Sequence, residues 1–454
     1  MSNNVTIRIP DNVKNLMQRV LNFGYEIYVV GGCVRDTLRN RTVADYDLTT
    51  NALPEDVIGI FSDCNVIETG LQHGTVTVVF NNEMFEITTF RIDGEYTDNR
   101  HPDKVTFTNS LFEDLRRRDF TINAMAADIN GNVIDFFNGI EDLEKKLIRC
   151  VGNPPDRFNE DALRILRAYR FQAKISGEIE SNTMHHMLRC GHLLKNIAQE
   201  RIQKELNGIL ISGDGCNQIS ELINAIDILK VVIPELYLLE IFQNNSHHQH
   251  QWLMLHTIHV VATVESDLVL KLAALFHDIG KSACYSEEKL PHGGIEGHFY
   301  GHADKSAEIT KDVLTRLRYS NDIIDQVVWL VKMHDSDIVS TRKAVKRILN
   351  KCPSLELFNK LIKLKMADRI DHTKLGDIGS LLDASALAYE IVESQEAFSL
   401  KQLDIDGYDL MNLGLKGKDI GEALQVCLNN VIEEDVENKN DALIKLVKEK
   451  FIHA

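Results

Sequence analysis

Proline and tryptophan are scarce in this chain, 8 and 2 in 454 residues, and glycine is limited to 26. Such a composition excludes collagen-like and Pro-rich architectures. Paired cysteines are also missing. Cys33, Cys64, Cys150, Cys190, Cys216, Cys284, Cys352 and Cys427 contain no C-x-x-C and fall at irregular intervals. In a chain this long the pattern reads as the reduced thiols of a cytoplasmic protein. No apolar run approaches the ~20 residues of a membrane span; the longest, at 268–276, is interrupted by Lys271. Residues 1–11 show no basic segment followed by an apolar one, so no secretory signal is expected. Positive charge is in deficit, with 50 Lys and Arg against 67 Asp and Glu and a net charge of −17. Taken alone, that argues against a nucleic-acid partner, because phosphate binding needs a basic footprint.

What is present is ordinary for a globular protein: 44% hydrophobic and 26% charged residues, enough to exclude wholesale disorder. The length suggests about three domains. Residues 1–150 read as α/β. A short apolar stretch at 27–30 runs into Gly31-Gly32, strands are expected over 75–80 and 85–90, and helices over 12–23 and 54–62. From about residue 140 strand signals thin out. Amphipathic helical patterns follow at 159–174, 198–210, 268–275, 303–318, 323–333 and 422–431.

Two constellations carry chemistry. In the first, Gly31-Gly32-Cys33-Val34-Arg35-Asp36 follows a strand and opens a helix, where the backbone can approach phosphate oxygens. Asp45-Tyr46-Asp47 comes next. In an extended segment residues i and i+2 point the same way, so Asp45 and Asp47 would offer two carboxylates to one Mg²⁺. Glu86, in the strand expected at 85–90, could add a third. The block Arg116-Arg117-Arg118-Asp119-Phe120-Thr121-Ile122-Asn123-Ala124 suits a triphosphate or an RNA backbone. A helix over 159–174 would place Asp161 and Arg164 side by side, with an apolar stripe of Ala162, Ile165, Leu166, Tyr169 and Ala173.

In this order, and with Asp135-x3-Gly139-x2-Asp142-Leu143, these segments resemble the class II tRNA nucleotidyltransferases, the CCA-adding enzymes and bacterial poly(A) polymerases, over residues ~20–210. The resemblance implies a polymerase-β-like α/β nucleotidyltransferase head followed by a mostly α-helical body. It implies that Asp45, Asp47 and Glu86 are catalytic, the two aspartates holding Mg²⁺. It implies that Gly31, Gly32, Arg35, Arg118, Asp119 and Asn123 line the nucleotide site, and that Asp161 and Arg164 read the base, with Arg167 and Arg170 extending the basic helix. Asn40 stands where that family usually has glycine, which implies a minor loop change. The polar loop over 91–102 matches the segment needed to switch from C to A addition.

The second constellation is His277-Asp278-Ile279-Gly280-Lys281 after an apolar helix, with His256, His302, His334 and Asp368 at or near other helical segments. Imidazole and carboxylate together suit Mn, Ni, Fe or Zn. The pattern resembles the HD phosphohydrolase superfamily. His256, His277, Asp278 and Asp368 match its ligands, and His302 and His334 fall where binuclear members add more. His247-His248-Gln249-His250 reads as a polar turn. The segment 404–417 and the lysines at 416, 418, 445, 448 and 450 resemble the tail through which such enzymes meet tRNA, with Glu433-Glu434-Asp435 outside the contact.

The expected division is therefore a head at 1–140, a helical neck at 141–225 that binds nucleotide and RNA, an HD domain at 226–375 and a tRNA-binding tail at 376–454. The expected activity is addition of CCA to tRNA from CTP and ATP, with a phosphohydrolase activity on RNA ends at the HD site. An A-adding enzyme, a poly(A) polymerase, and a nucleotide phosphohydrolase with an RNA-binding head stay open as alternatives, as does a regulator that senses nucleotides.

Overall fold

The structure, a computed structural model, describes residues 5–43, 45–94, 105–212, 226–242, 253–290, 295–371 and 378–452. Cys216, the histidine cluster at 247–250 and most of the polar loop, from residue 95 onward, lie outside these residues. The chain divides into two units: residues 1–237 with 316–318, and residues 238–315 with 319–454.

Among the described residues the first unit holds a seven-stranded mixed sheet. Its order is Asn65–Ile67, Thr75–Phe80, Glu83–Thr89, Leu48–Thr50, Ile27–Val30, Met125–Ala127, Val133–Asp135. Leu48–Thr50 runs parallel to Glu83–Thr89, with Leu48 opposite Ile87, and the other pairings are antiparallel. Val, Ile and Thr dominate the longer strands, as packing on a pleated surface favours. The helix Asp11–Asn22 buries Val13, Leu16, Met17 and Val20, one face at helical spacing. With Pro54–Ile60 it covers the sheet in a core that includes Phe61, Val76, Val78 and Ile87.

The expected elements at 12–23, 54–62 and 75–80 are found. Leu48–Thr50, Met125–Ala127 and Val133–Asp135 were not expected, because three residues are too few to show alternation, and Met125–Ala127 is buried throughout. The helix expected over 159–174 is in fact two helices, Pro154–Glu160 and Arg164–Ile175. Asp161 is extended between them (φ −140°, ψ 103°) and its Oδ1 accepts from the Leu163 N–H at 3.1 Å. Asp161 and Arg164 are thus not neighbours on one helix surface. The apolar stripe itself holds: Ala162, Ile165, Leu166, Tyr169 and Ala173 are buried.

Among its described residues the second unit is helical apart from one hairpin, Ser286–Lys289 with Ile295–His298. Leu268–Phe276 packs against Leu253–Thr263, Asn321–Met333 and Leu355–Asp371, and it is buried from Val269 to Phe276. Even Lys271 is inside, its Nζ donating to the Val261 carbonyl at 2.6 Å, which satisfies the buried ammonium. Gly407–Asn412, Lys418–Ile432 and Asn440–Phe451 close around Leu410, Cys427, Leu443 and Val447. Among the described residues no helix is long and apolar enough to cross a membrane.

Candidate active sites

In the first unit the chain leaves strand Ile27–Val30 through Gly31 at φ +75°, ψ −125° and enters helix Gly32–Leu38. Only glycine adopts that backbone easily, and a Cβ on Gly31 would also lie 2.9 Å from Arg118 Nη1. The turn therefore brings bare backbone against an arginine. Asn40, at the end of the same segment, takes φ +55°, a left-handed conformation that asparagine tolerates better than most residues. Its replacement of glycine therefore leaves the turn intact.

Around this turn opens a cavity of about 710 Å³, lined by nine lysines and arginines and five aspartates. It gathers Gly31, Gly32, Arg35, Asp45, Asp47, Arg118, Asp119, Asn123, Asp161, Arg164, Arg167 and Arg170. The basic footprint missing from the total charge is thus local. Its volume falls within the usual range for small-ligand sites.

Arg35 is buried; it donates to Asn123 and to both oxygens of Asp36 at 2.9 Å. Burial disfavours the Asp36 charge, but hydrogen bonds from Arg35 and Lys174 outweigh it and hold the carboxyl below its usual range. Asp119 accepts from Arg167 Nε at 2.8 Å, Asn123 Nδ2 at 3.0 Å and the Phe120 N–H at 2.8 Å. Burial pushes its pKa up, yet Arg167 and Asn123 bring it down to about 2. The guanidinium groups of Arg35, Arg167 and Arg170 stand 5.0, 5.2 and 4.7 Å from the centre of the Phe171 ring.

Asp161 and Arg164 each have another partner. Arg201 Nη2 donates to Asp161 Oδ2 at 2.8 Å, while Arg164 donates to Glu160 at 2.5 Å and to the Arg117 carbonyl at 3.0 Å. Asp47 is raised by burial, with Arg118 opposing and the Asp45 charge adding. Glu86 does not line the cavity; it is exposed on Glu83–Thr89. Since Leu48 lies opposite Ile87, the parallel register places Glu86 beside Asp47. The three carboxylates do not all lie within 4.8 Å of one another.

Lys174, Arg201 and Lys204 also line the cavity, and the sequence reading missed them. Their spacing carried a signal. Positions 167, 170, 171 and 174 share one face of Arg164–Ile175, and Arg201 and Lys204 share one face of Gln199–Ile211. Buried Asp114 was missed as well. It anchors Arg117 at 2.8 Å and accepts from Thr49 Oγ1 at 3.1 Å.

In the second unit the four histidines converge. His256 Nε2 lies 3.1 Å from His277 Nε2 and 3.1 Å from Asp368 Oδ1. His302 and His334 Nε2 are 3.3 Å apart. Asp278 stands between the two groups. Its Oδ2 is 3.5 Å from His256 and 3.2 Å from His277, and its Oδ1 is 3.5 Å from both His302 and His334. The Nδ1 atoms of His277, His302 and His334 donate to the carbonyls of Ala274, Phe299 and Val331, at 2.8, 2.9 and 2.6 Å. Those bonds fix the tautomer and aim each Nε2 lone pair at the common point.

Neither Asp278 oxygen, though buried, has a hydrogen-bond partner; Lys281 Nζ makes an ion pair at 2.6 Å. Burial disfavours the Asp278 charge, but His277 and Lys281 hold its pKa well below the ordinary range. Ligand atoms about 2.1 Å from one ion lie roughly 3.0–3.4 Å from each other, close to the spacings seen. His256, His277 and Asp278 could thus hold one ion, with Asp368 beside His256, and Asp278, His302 and His334 a second.

In the tail the acids singled out by sequence serve local structure. Asp406 caps Gly407–Asn412 by accepting from the N–H groups of Tyr408 and Asp409, and Asp404 Oδ2 accepts from the Asn440 N–H at 3.0 Å. Lys416, Lys418, Lys445, Lys448 and Lys450 are exposed. Glu433 is paired to Arg347.

Comparison with known proteins agrees with this architecture. Residues 27–149 match the poly A polymerase head domain, residues 178–239 an RNA- and SrmB-binding region of polymerase A, and residues 301–447 the second domain of tRNA nucleotidyltransferase. The class is thereby fixed: the chain has a polymerase-β-like nucleotidyltransferase head, of the poly A polymerase type, and a mostly helical body. Its particular fold is that of CCA-adding enzymes. The Bacillus stearothermophilus CCA-adding enzyme in complex with CTP superimposes with a TM-score of 0.70 at 24% identity, over 97% of this chain and 96% of that one. The Thermotoga maritima CCA-adding enzyme complexed with tRNA gives 0.60 at 19% identity, over 97% and 96%. Among curated proteins, the CCA-adding enzyme of Streptococcus gordonii is 46% identical over 197 residues, 43% of this chain and 49% of that protein. That of Oceanobacillus iheyensis is 49% identical over 191 residues, 42% and 47%. The chain thus spans about half the length of the curated relatives it matches.

Proposed function

We propose that this chain is a template-independent nucleotidyltransferase that adds C, C and A to tRNA 3′ ends from CTP and ATP. The observation that carries the reading is the single cavity that unites Asp45 and Asp47 with the Gly31 turn, the arginines, Asp161 and Arg164. The CTP- and tRNA-bound structures of similar fold support it. Gly31, Gly32, Arg35 and Arg118 hold the triphosphate. Asp161 accepts from the exocyclic amine that C and A share, and Arg164 donates to ring acceptors. G and U present a carbonyl where that amine would be and are refused. The tRNA 3′-hydroxyl attacks the α-phosphate and pyrophosphate leaves. Asp45 and Asp47, with Glu86 beside Asp47 in register, would hold Mg²⁺. Burial and the Asp45 charge raise Asp47, a repulsion that a divalent cation relieves. Held there, Mg²⁺ would supply charge stabilisation to the attacking and leaving oxygens.

The head at 1–140 performs transfer, the neck at 141–225 reads base and RNA, and the tail at 376–454 meets tRNA. The irregular spacing of the cysteines, with no C-x-x-C, supports the cytoplasm as the site of action. The test is incorporation into tRNA transcripts that end before CCA, after C and after CC, with an Asp45→Ala/Asp47→Ala control. Ordered C, C, A addition with a dead control supports the reading. Extension of only the CC-ended transcript by one A makes the chain an A-adding enzyme, and repeated A addition makes it a poly(A) polymerase.

A second reading concerns residues 226–375, which we propose as a metal-dependent HD phosphohydrolase acting on RNA ends. The Asp278 carboxylate, buried between two histidine groups, favours it. Mn, Ni, Fe or Zn at this site would activate a water. The chain's own residues aim the imidazoles, and Lys281 neutralises charge beside Asp278. Protein that retains no transition metal after dialysis, by elemental analysis, would refute this.

A further inference from the structure

Phe171 borders the cavity of the first unit, yet it is only 5% exposed. Its side chain has no polar atom with which to hold a ligand. What surrounds the ring is charge. The guanidinium carbons of Arg35, Arg167 and Arg170 lie 5.0, 5.2 and 4.7 Å from its centre. Each is within the distance at which a cation gains from the negative face of an aromatic ring. The ring is itself fixed from behind. Phe120, the neighbour of Asp119, is fully buried and meets it edge-on, with centroids 5.8 Å apart and planes at 76°.

The three arginines arrive from two helices, and each is tied to its own carboxylate. Arg35, on Gly32–Leu38, donates from Nε to Asp36 at 2.9 Å. On Arg164–Ile175, Arg167 Nε donates to Asp119 at 2.8 Å and Arg170 Nε to the buried Glu205 at 2.5 Å. The Arg170 stem runs so close over Gly208 that a Cβ there would fall 2.3 Å from Arg170 Cδ. A guanidinium is a rigid, planar fork of donors. The carboxylate fixes one edge of that fork, the ring supplies a second point of contact, and together they set where the remaining N–H groups aim. Like charges gathered before any ligand arrives also repel one another, and the ring face offsets part of that repulsion.

We infer that Phe171 is a positioning residue for the triphosphate: its ring gathers and aims Arg35, Arg167 and Arg170 before a nucleotide enters, without itself contacting base or ribose. The inference rests on the transferase reading of this cavity and deepens it by naming what arranges the phosphate-binding charge. Side chains already held in their binding geometry lose less freedom when they close on a ligand. Because the ring acts through the phosphates, its effect is the same for a nucleotide and for a bare triphosphate. The choice of base is left to Asp161 and Arg164.

The test replaces Phe171 in the full chain in two ways. Phe171→Leu keeps apolar bulk without an aromatic face. Difluoro- and pentafluorophenylalanine, incorporated at the same position, keep the shape of the ring and withdraw its negative face. Each protein is assayed for ATP incorporation into a tRNA transcript ending in CC, with Mg²⁺ in excess, and inorganic tripolyphosphate is titrated as a competitor of ATP. Inhibition of incorporation reads this cavity and not a phosphate site elsewhere on the chain. The KM for ATP and the inhibition constant of tripolyphosphate are expected to rise together, by about tenfold in Phe171→Leu, and stepwise with the number of fluorines. A rise for ATP with tripolyphosphate unchanged means that the ring touches the nucleoside, and overturns the positioning role. Loss in Phe171→Leu with no trend across the fluorinated rings reduces Phe171 to packing and overturns it as well, as do unchanged constants throughout; in each of these cases the transferase reading stands. Wild-type protein that incorporates nothing overturns the transferase reading, and the inference with it.

Discussion

Asp119 is the residue whose charge is tied most tightly to the fold of the first unit. Its folded pKa, about 2, lies below the ordinary value of about 4 for an unfolded carboxylate. The stabilisation is therefore complete above pH 4 and is lost as pH falls through about 2. It amounts to roughly 2 kcal/mol. We expect Asp119→Asn to lower stability at pH 7 by an amount of that order and to flatten the acid limb, as read by denaturant unfolding across pH 2–7. Gly31 is bound by geometry instead. Gly31→Ala places a methyl 2.9 Å from Arg118 and forces φ +75° on an L-residue. Triphosphate affinity should fall at least tenfold, by equilibrium dialysis with CTP, with little change in the far-UV dichroism.

Among the elements, those with strong periodicity were legible in the sequence and those set by tertiary pairing were not. Asp11–Asn22 and Thr75–Phe80 announce themselves through apolar spacing and β-branched residues. Leu48–Thr50 is a strand because Ile27–Val30 and Glu83–Thr89 flank it, which no three-residue window can show. The break at Asp161 was hidden for a related reason. Ala162, Ile165, Leu166, Tyr169 and Ala173 continue a helical stripe, while Asp161 uses its carboxylate locally to start the second helix. The site residues themselves were legible as types and spacings, but their partners were not. Arg201 lies 40 residues from Asp161 and meets it only in the fold. In the tail, the aspartates at 404, 406 and 409, in the segment that resembles a tRNA-contacting tail, act as caps and ties. Asp406→Ala should cost about 1 kcal/mol, measurable as a lower thermal midpoint, with tRNA affinity unchanged.

For the molecule as a whole, a chain of net charge −17 concentrates nine cationic side chains around one cavity. Binding there should depend steeply on salt even though the bulk electrostatics repel RNA. We expect the logarithm of tRNA affinity to fall linearly with the logarithm of salt concentration. Charge removal at Lys174 and Lys204 should reduce the slope by about one phosphate contact each, measured by filter binding. The pairing of Asp161 with Arg201 and of Arg164 with Glu160 has a wider consequence. Under the proposed activity the three letters written onto RNA are stored in side chains, with no nucleic acid to copy from. A substitution at Arg201 would then behave as a coding mutation. Arg201→Ala should leave the protein folded and the phosphate chemistry intact, yet pass misspelled 3′ ends to its products. Sequencing those ends would read the error directly as U or G in place of C or A, and unchanged ends would refute the idea.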